Sequence, residues 1–94
     1  MITKIIKLSA SWCFPCKVYG KTFEEVSKNE CYKDICFEEI DVEENEEIAE
    51  KYGVRSLPTT VFVDENDNIL SKLNGNVTKA ELEDKINKIK ELNG

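Results

Sequence analysis

The chain has 94 residues, 40% of them hydrophobic, a formal net charge of −6 and no histidine. That length suits one domain over residues 1–94 with one packed core. The acidic balance argues against nucleic-acid and anionic-membrane partners, no stretch is apolar enough to span a bilayer, and the lack of histidine excludes Cys–His nucleophiles and His-ligated metals.

Residues 2–8 read as a strand, with apolar side chains on both parities, so cover on both faces is expected. This amino end enters the strand pattern without the apolar region and small-residue cleavage site of a signal peptide, which makes cytoplasm the expected compartment. A helix is predicted over 13–28, where Cys16, Tyr19, Phe23 and Val26 share one face. Residues 29–34 are a polar connection and 35–42 a second strand. A short acidic helix follows over 43–52, stopped by Gly53. The β-branched run 59–64, the turn 65–68 and the segment 69–73 form a hairpin. Thr78 and Glu81 make a capping box for a last helix over 79–92, with Leu82, Ile86 and Ile89 on one face. The order β-α-β-α-β-β-α implies a right-handed parallel crossover, then a hairpin: a mixed four-stranded sheet in a three-layer α/β sandwich.

The chemistry concentrates at Trp12-Cys13-Phe14-Pro15-Cys16. Two thiols one helical turn apart, at the point where a strand passes into a helix, suit a dithiol that cycles with a disulfide. The thiolate is the nucleophilic form. Cys13 falls where the first helical turn leaves N–H groups unpaired and the helix dipole is positive, and both favour a negative sulfur. A thiol with an ordinary pKa of ~8.5 is then expected to fall below that value. Cys16, on the apolar face with Tyr19 and Phe23, is expected to be the shielded resolving thiol that closes the Cys13–Cys16 disulfide and releases the client. Pro15 suits the first turn because no N–H is needed there.

These residues resemble the thioredoxin family. Trp12-Cys13-Phe14-Pro15-Cys16-Lys17 is similar to the family's Trp-Cys-Gly-Pro-Cys-Lys, the segment 52–59 ending in Leu57-Pro58-Thr59 to its cis-proline segment, and Lys72-Leu73-Asn74-Gly75 to its late strand and glycine. The resemblance covers nearly the whole chain but omits the family's usual first strand and helix. It implies one thioredoxin-like domain, a protein-disulfide reductase without a cofactor, a monomer, disulfide-containing clients and a thioredoxin reductase or similar electron donor. It also implies a cis bond before Pro58, with Trp12, Phe14, Pro15, Leu57, Pro58, Gly75 and Asn76 framing the client and the Leu57 backbone free to pair with an extended segment.

The chain departs from the family at Lys7, where a buried aspartate is usual, at Phe37 for the lysine that partners it, at Lys21 for a helix-kinking proline, and at Phe14 for glycine. An exchanged pair is one reading: Lys7 reaches Glu39, and the buried ammonium assists the proton transfer at Cys16 by attraction. The other is that Lys7 snorkels to water. Cys36 is expected to be a small buried hydrophobe and Cys31 exposed. Two rival functions remain. One is a glutaredoxin-like, glutathione-dependent reductase. The other is a structural zinc module, because Cys13-x2-Cys16-x14-Cys31-x4-Cys36 nearly fits a four-cysteine site. Eight acidic and no basic residues between Glu38 and Glu50 read as a solvated helix front.

Overall fold

The computed structural model describes residues 1–93. In chain order they form β1 (Lys4–Ser9), α1 (Phe14–Ser27), a single 3-10 turn at Glu30–Tyr32, β2 (Cys36–Asp41), α2 (Glu46–Lys51), β3 (Thr59–Val63), β4 (Ile69–Asn74) and α3 (Lys79–Asn93). Among the described residues the sheet has the order β2-β1-β3-β4. β1 runs parallel to β2 and antiparallel to β3, and β3 is antiparallel to β4. This is the predicted mixed α/β sheet.

Strand alternation divides the core in two. Ile5 and Phe62, opposite each other in the β1–β3 ladder, pack with Tyr19, Phe23 and Val26 of α1 and Leu82, Ile86 and Ile89 of α3. Ile6, Leu8, Val61 and Val63 point the other way, onto Tyr52, with Ile48 of α2 at the edge. The sheet is therefore covered on both faces, as the double-parity apolar run of β1 requires. Each of these side chains adds about 1.5–3 kcal/mol by leaving water.

The polar groups inside are matched. The Tyr19 hydroxyl lies 2.7 Å from Thr60 Oγ1 between α1 and β3, and burial pushes its pKa up to about 12, so it stays a neutral hydroxyl. The Tyr52 hydroxyl donates to Asp67 Oδ1 at 2.8 Å, and Lys51 pairs with the same carboxylate. Burial first, then Asp67, pushes Tyr52 up to about 12, while hydrogen bonds from Lys51 and Tyr52 hold Asp67 below the usual carboxylate range. This network ties the β3–β4 turn to the end of α2. The capping box forms as read: Thr78 N–H donates to Glu81 Oε1, and Glu81 N–H to Thr78 Oγ1, both at 3.1 Å.

Three expectations need correction. Cys36 is exposed, because β2 is an edge strand with no fully buried position. The acidic helix is shorter than predicted. Glu43 and Glu44 belong to a turn held by Asp41, and only Glu46 and Glu47 lie in the first turn of α2, where they complement its dipole. The polar connection 29–34 holds a 3-10 turn capped by Asn29, whose Oδ1 accepts from Cys31 N–H at 2.9 Å and which lets Tyr32 reach the core.

Candidate active site

The site lies at the carboxyl end of β1. Cys13 is the N-cap of α1, not its first residue, with extended backbone (φ −85°, ψ 105°). Pro15 follows within the first turn, where its missing N–H costs nothing. Cys13 and Cys16 are joined in a disulfide, their Cα atoms 5.2 Å apart. The predicted difference in dryness between them is absent: Cys13 is 4% and Cys16 2% exposed. What separates the two sulfurs is hydrogen bonding. Cys13 Sγ accepts the backbone N–H of Cys16 at 3.2 Å, the bond an N-cap side chain makes to the third helical residue. In the reduced protein such a donor favours the thiolate.

The two cysteines also line different cavities. Cys13 belongs to a groove of about 430 Å³ with Trp12, Phe14, Pro15, Arg55, Ser56 and Leu57. Cys16 belongs to one of about 450 Å³ whose walls include Lys7, Ser9, Lys17, Glu39 and Asp41. No residue lines both.

Trp12 is 68% and Phe14 74% exposed, a large apolar area for a surface and not a core position. Leu57 packs on the pair formed by Cys13 and Cys16. The Leu57–Pro58 bond is cis and Pro58 is buried. Among the described residues the Leu57 backbone makes no hydrogen bond, whereas Pro58 C=O accepts Gly75 N–H at 2.8 Å. Gly75 (φ +86°) and exposed Asn76 are thus held beside the proline loop but outside the groove lining. Lys7 does not snorkel. Its side chain is 4% exposed and its Nζ lies 2.9 Å from Glu39 Oε2.

Two groups escaped the sequence reading. Arg55, the only arginine in the chain, puts a positive charge into the groove beside Cys13. Its position two residues before Leu57 was the available signal. Gly20 leaves the space that Lys7 fills. The zinc reading fails on geometry. Cys13 and Cys16 are bonded to each other, Cys31 and Cys36 are exposed free thiols, and no group of three or more His, Cys, Asp or Glu is placed for a metal among the described residues.

A family model described as Thioredoxin matches residues 2–88. A thioredoxin of Mycoplasmoides gallisepticum is 36% identical over 80 residues, covering 85% of this chain and 77% of that protein. Thioredoxin H5 of Oryza sativa subsp. japonica is 39% identical over 74 residues, covering 79% of this chain and 53% of that protein, so the chain spans only about half the length of that relative. Among solved structures, a thioredoxin of Malassezia sympodialis superposes with a TM-score of 0.82 at 32% identity, over 90% of this chain and 72% of that one.

Proposed function

The chain belongs to the thioredoxin family of thiol–disulfide oxidoreductases, and we propose that Cys13 is its attacking sulfur, Cys16 its resolving sulfur and a protein disulfide its substrate. The observation that carries this assignment is the N–H of Cys16 aimed at Cys13 Sγ, with no matching donor on Cys16 Sγ among the described residues. In the dithiol form Cys13 reacts as a thiolate. It displaces one client sulfur, which leaves as a thiolate and takes a proton, and a mixed disulfide forms. Cys16 loses its proton and attacks Cys13 Sγ. The second client sulfur leaves, and the Cys13–Cys16 disulfide remains. Two electrons and two protons have passed to the client.

Client binding follows from the groove. Trp12, Phe14 and Leu57 offer apolar contact on both sides of Cys13. The free N–H and C=O of Leu57 suit main-chain pairing with an extended segment, and Pro58, Gly75 and Asn76 shape that edge. Recharging falls to a dithiol electron donor, a thioredoxin reductase in our reading. The protein works as a monomer in a single domain, in the cytoplasm. The exposed free thiols of Cys31 and Cys36 suit such a reducing compartment. No helix among the described residues is long and apolar enough to cross a membrane.

Reduction of insulin disulfides tests the reading. With a thioredoxin reductase and NADPH, turbidity from precipitating insulin chains is expected to develop within minutes. With glutathione and glutathione reductase in its place, the rate is expected to be at least about tenfold lower. A faster rate with glutathione would favour the glutaredoxin-like alternative.

A further inference from the structure

Lys7 breaks a local rule, and so does Gly20 opposite it. A buried ammonium carries a desolvation cost of several kcal/mol, and glycine inside a helix costs about 0.5–1 kcal/mol relative to alanine. Both departures occur at one point, behind Cys16. Lys7 lies on the β1 face that also carries Ile5, toward α1. Its Nζ donates to the Cys16 carbonyl at 3.5 Å and meets Glu39 Oε2 at 2.9 Å. A Cβ on Gly20, one turn beyond Cys16, would stand 3.0 Å from the same Nζ. Where several local rules are broken together, a function is the usual compensation.

The charges around Cys16 can be counted. Lys7 comes from β1, Lys17 from α1, and Glu39 and Asp41 from β2. Lys7 is the most enclosed: its partner Glu39 has a side chain 62% exposed, so water screens the carboxylate far more than the ammonium. Of the charges lining this cavity, the Lys7 ammonium is thus the one that water screens least.

We propose that Lys7, seated by Gly20 and the Cys16 carbonyl, is a positioning residue that stabilises the Cys16 thiolate once its proton is lost, and so, above neutral pH, shifts the Cys13–Cys16 couple toward its reduced form. In the balance, protein disulfide + 2 glutathione → protein dithiol + glutathione disulfide, only the reduced side has a Cys16 thiol to ionise, so at alkaline pH only that side carries the negative sulfur that the ammonium attracts. Removing that ammonium favours the disulfide. The proposal rests on the reading of Cys13 and Cys16 as a working redox pair.

The test is the equilibrium of the whole protein with glutathione redox buffers at pH 9, where Cys16 can ionise, read by mass after acid quench and alkylation, with urea melts as a check on folding. Lys7→Met, similar in volume and leaving only a solvated Glu39 unpaired, is expected to shift the constant about tenfold toward the disulfide, or about 30 mV for a two-electron couple. Gly20→Ala, which crowds the ammonium while raising helix propensity, is expected to shift it the same way by about twofold to threefold with no loss of stability. Glu39→Gln, which unmasks the ammonium, is expected to shift it about twofold or more toward the dithiol. Opposite signs for Lys7→Met and Glu39→Gln cannot come from a packing role. A constant for Lys7→Met within about twofold of the unaltered protein overturns the inference and leaves the redox pair standing. An unaltered protein that forms no Cys13–Cys16 disulfide in these buffers overturns both.

Discussion

Replacing Cys16 with serine is expected to turn the protein into a trap for its clients. Cys13 keeps the Cys16-position backbone N–H as a donor, because that group belongs to the main chain and survives the substitution. It therefore still attacks. The mixed disulfide then has no internal thiol to break it, and turnover with insulin falls by about 10³-fold or more while a covalent complex accumulates that dithiothreitol releases. Cys13→Ser is expected to lose turnover to the same extent and to accumulate no complex, since the sulfur that remains lacks the N-cap hydrogen bond. The pair of variants is read on a non-reducing gel. Complexes on Cys13→Ser in place of Cys16→Ser would reverse the roles of the two sulfurs.

The second large effect is on stability. Phe62→Ala is expected to cost about 3–5 kcal/mol, a large part of the roughly 5–15 kcal/mol that holds a chain of this size. Phe62 is fully buried in β3, an interior strand, and it meets Ile5 across the ladder and residues of both α1 and α3. No single element can close over the hole without pulling away from another, so the cavity persists. Urea denaturation measures the loss. A change below about 1 kcal/mol would mean that the layer between sheet and helices repacks freely.

The fold was legible because its elements keep simple periods. β1 carries apolar residues on both parities, α1 holds Cys16, Tyr19, Phe23 and Val26 on one buried stripe, and Thr78 with Glu81 marks the start of α3. The redox pair was legible because two cysteines three apart at a strand-to-helix junction leave few alternatives. What the sequence left open or misplaced depends on neighbours in space, which no period announces. Cys36 resembles a core residue until β2 is known to be an edge. Tyr32 is a lone aromatic in a polar stretch, with no period to announce that it turns inward. The Lys7–Glu39 pair depends on the β1–β2 register, in which the two residues face each other. Gly20 and Arg55 acquire meaning only from what stands opposite them in space, an ammonium for one and the disulfide groove for the other. The expected contrast of a wet and a dry sulfur was a burial argument, whereas the molecule separates the two by a hydrogen bond.

That hydrogen bond is the centre of the account, and competitive alkylation of the reduced protein tests it most directly. A sub-stoichiometric amount of iodoacetamide at pH 7, followed by peptide mapping, compares four thiols in one tube, with exposed Cys31 and Cys36 as internal standards. Label is expected on Cys13 at least about tenfold faster than on Cys16, and faster than on either standard despite its lower exposure. Equal labelling of Cys13 and Cys16, both slower than Cys31 and Cys36, would contradict it.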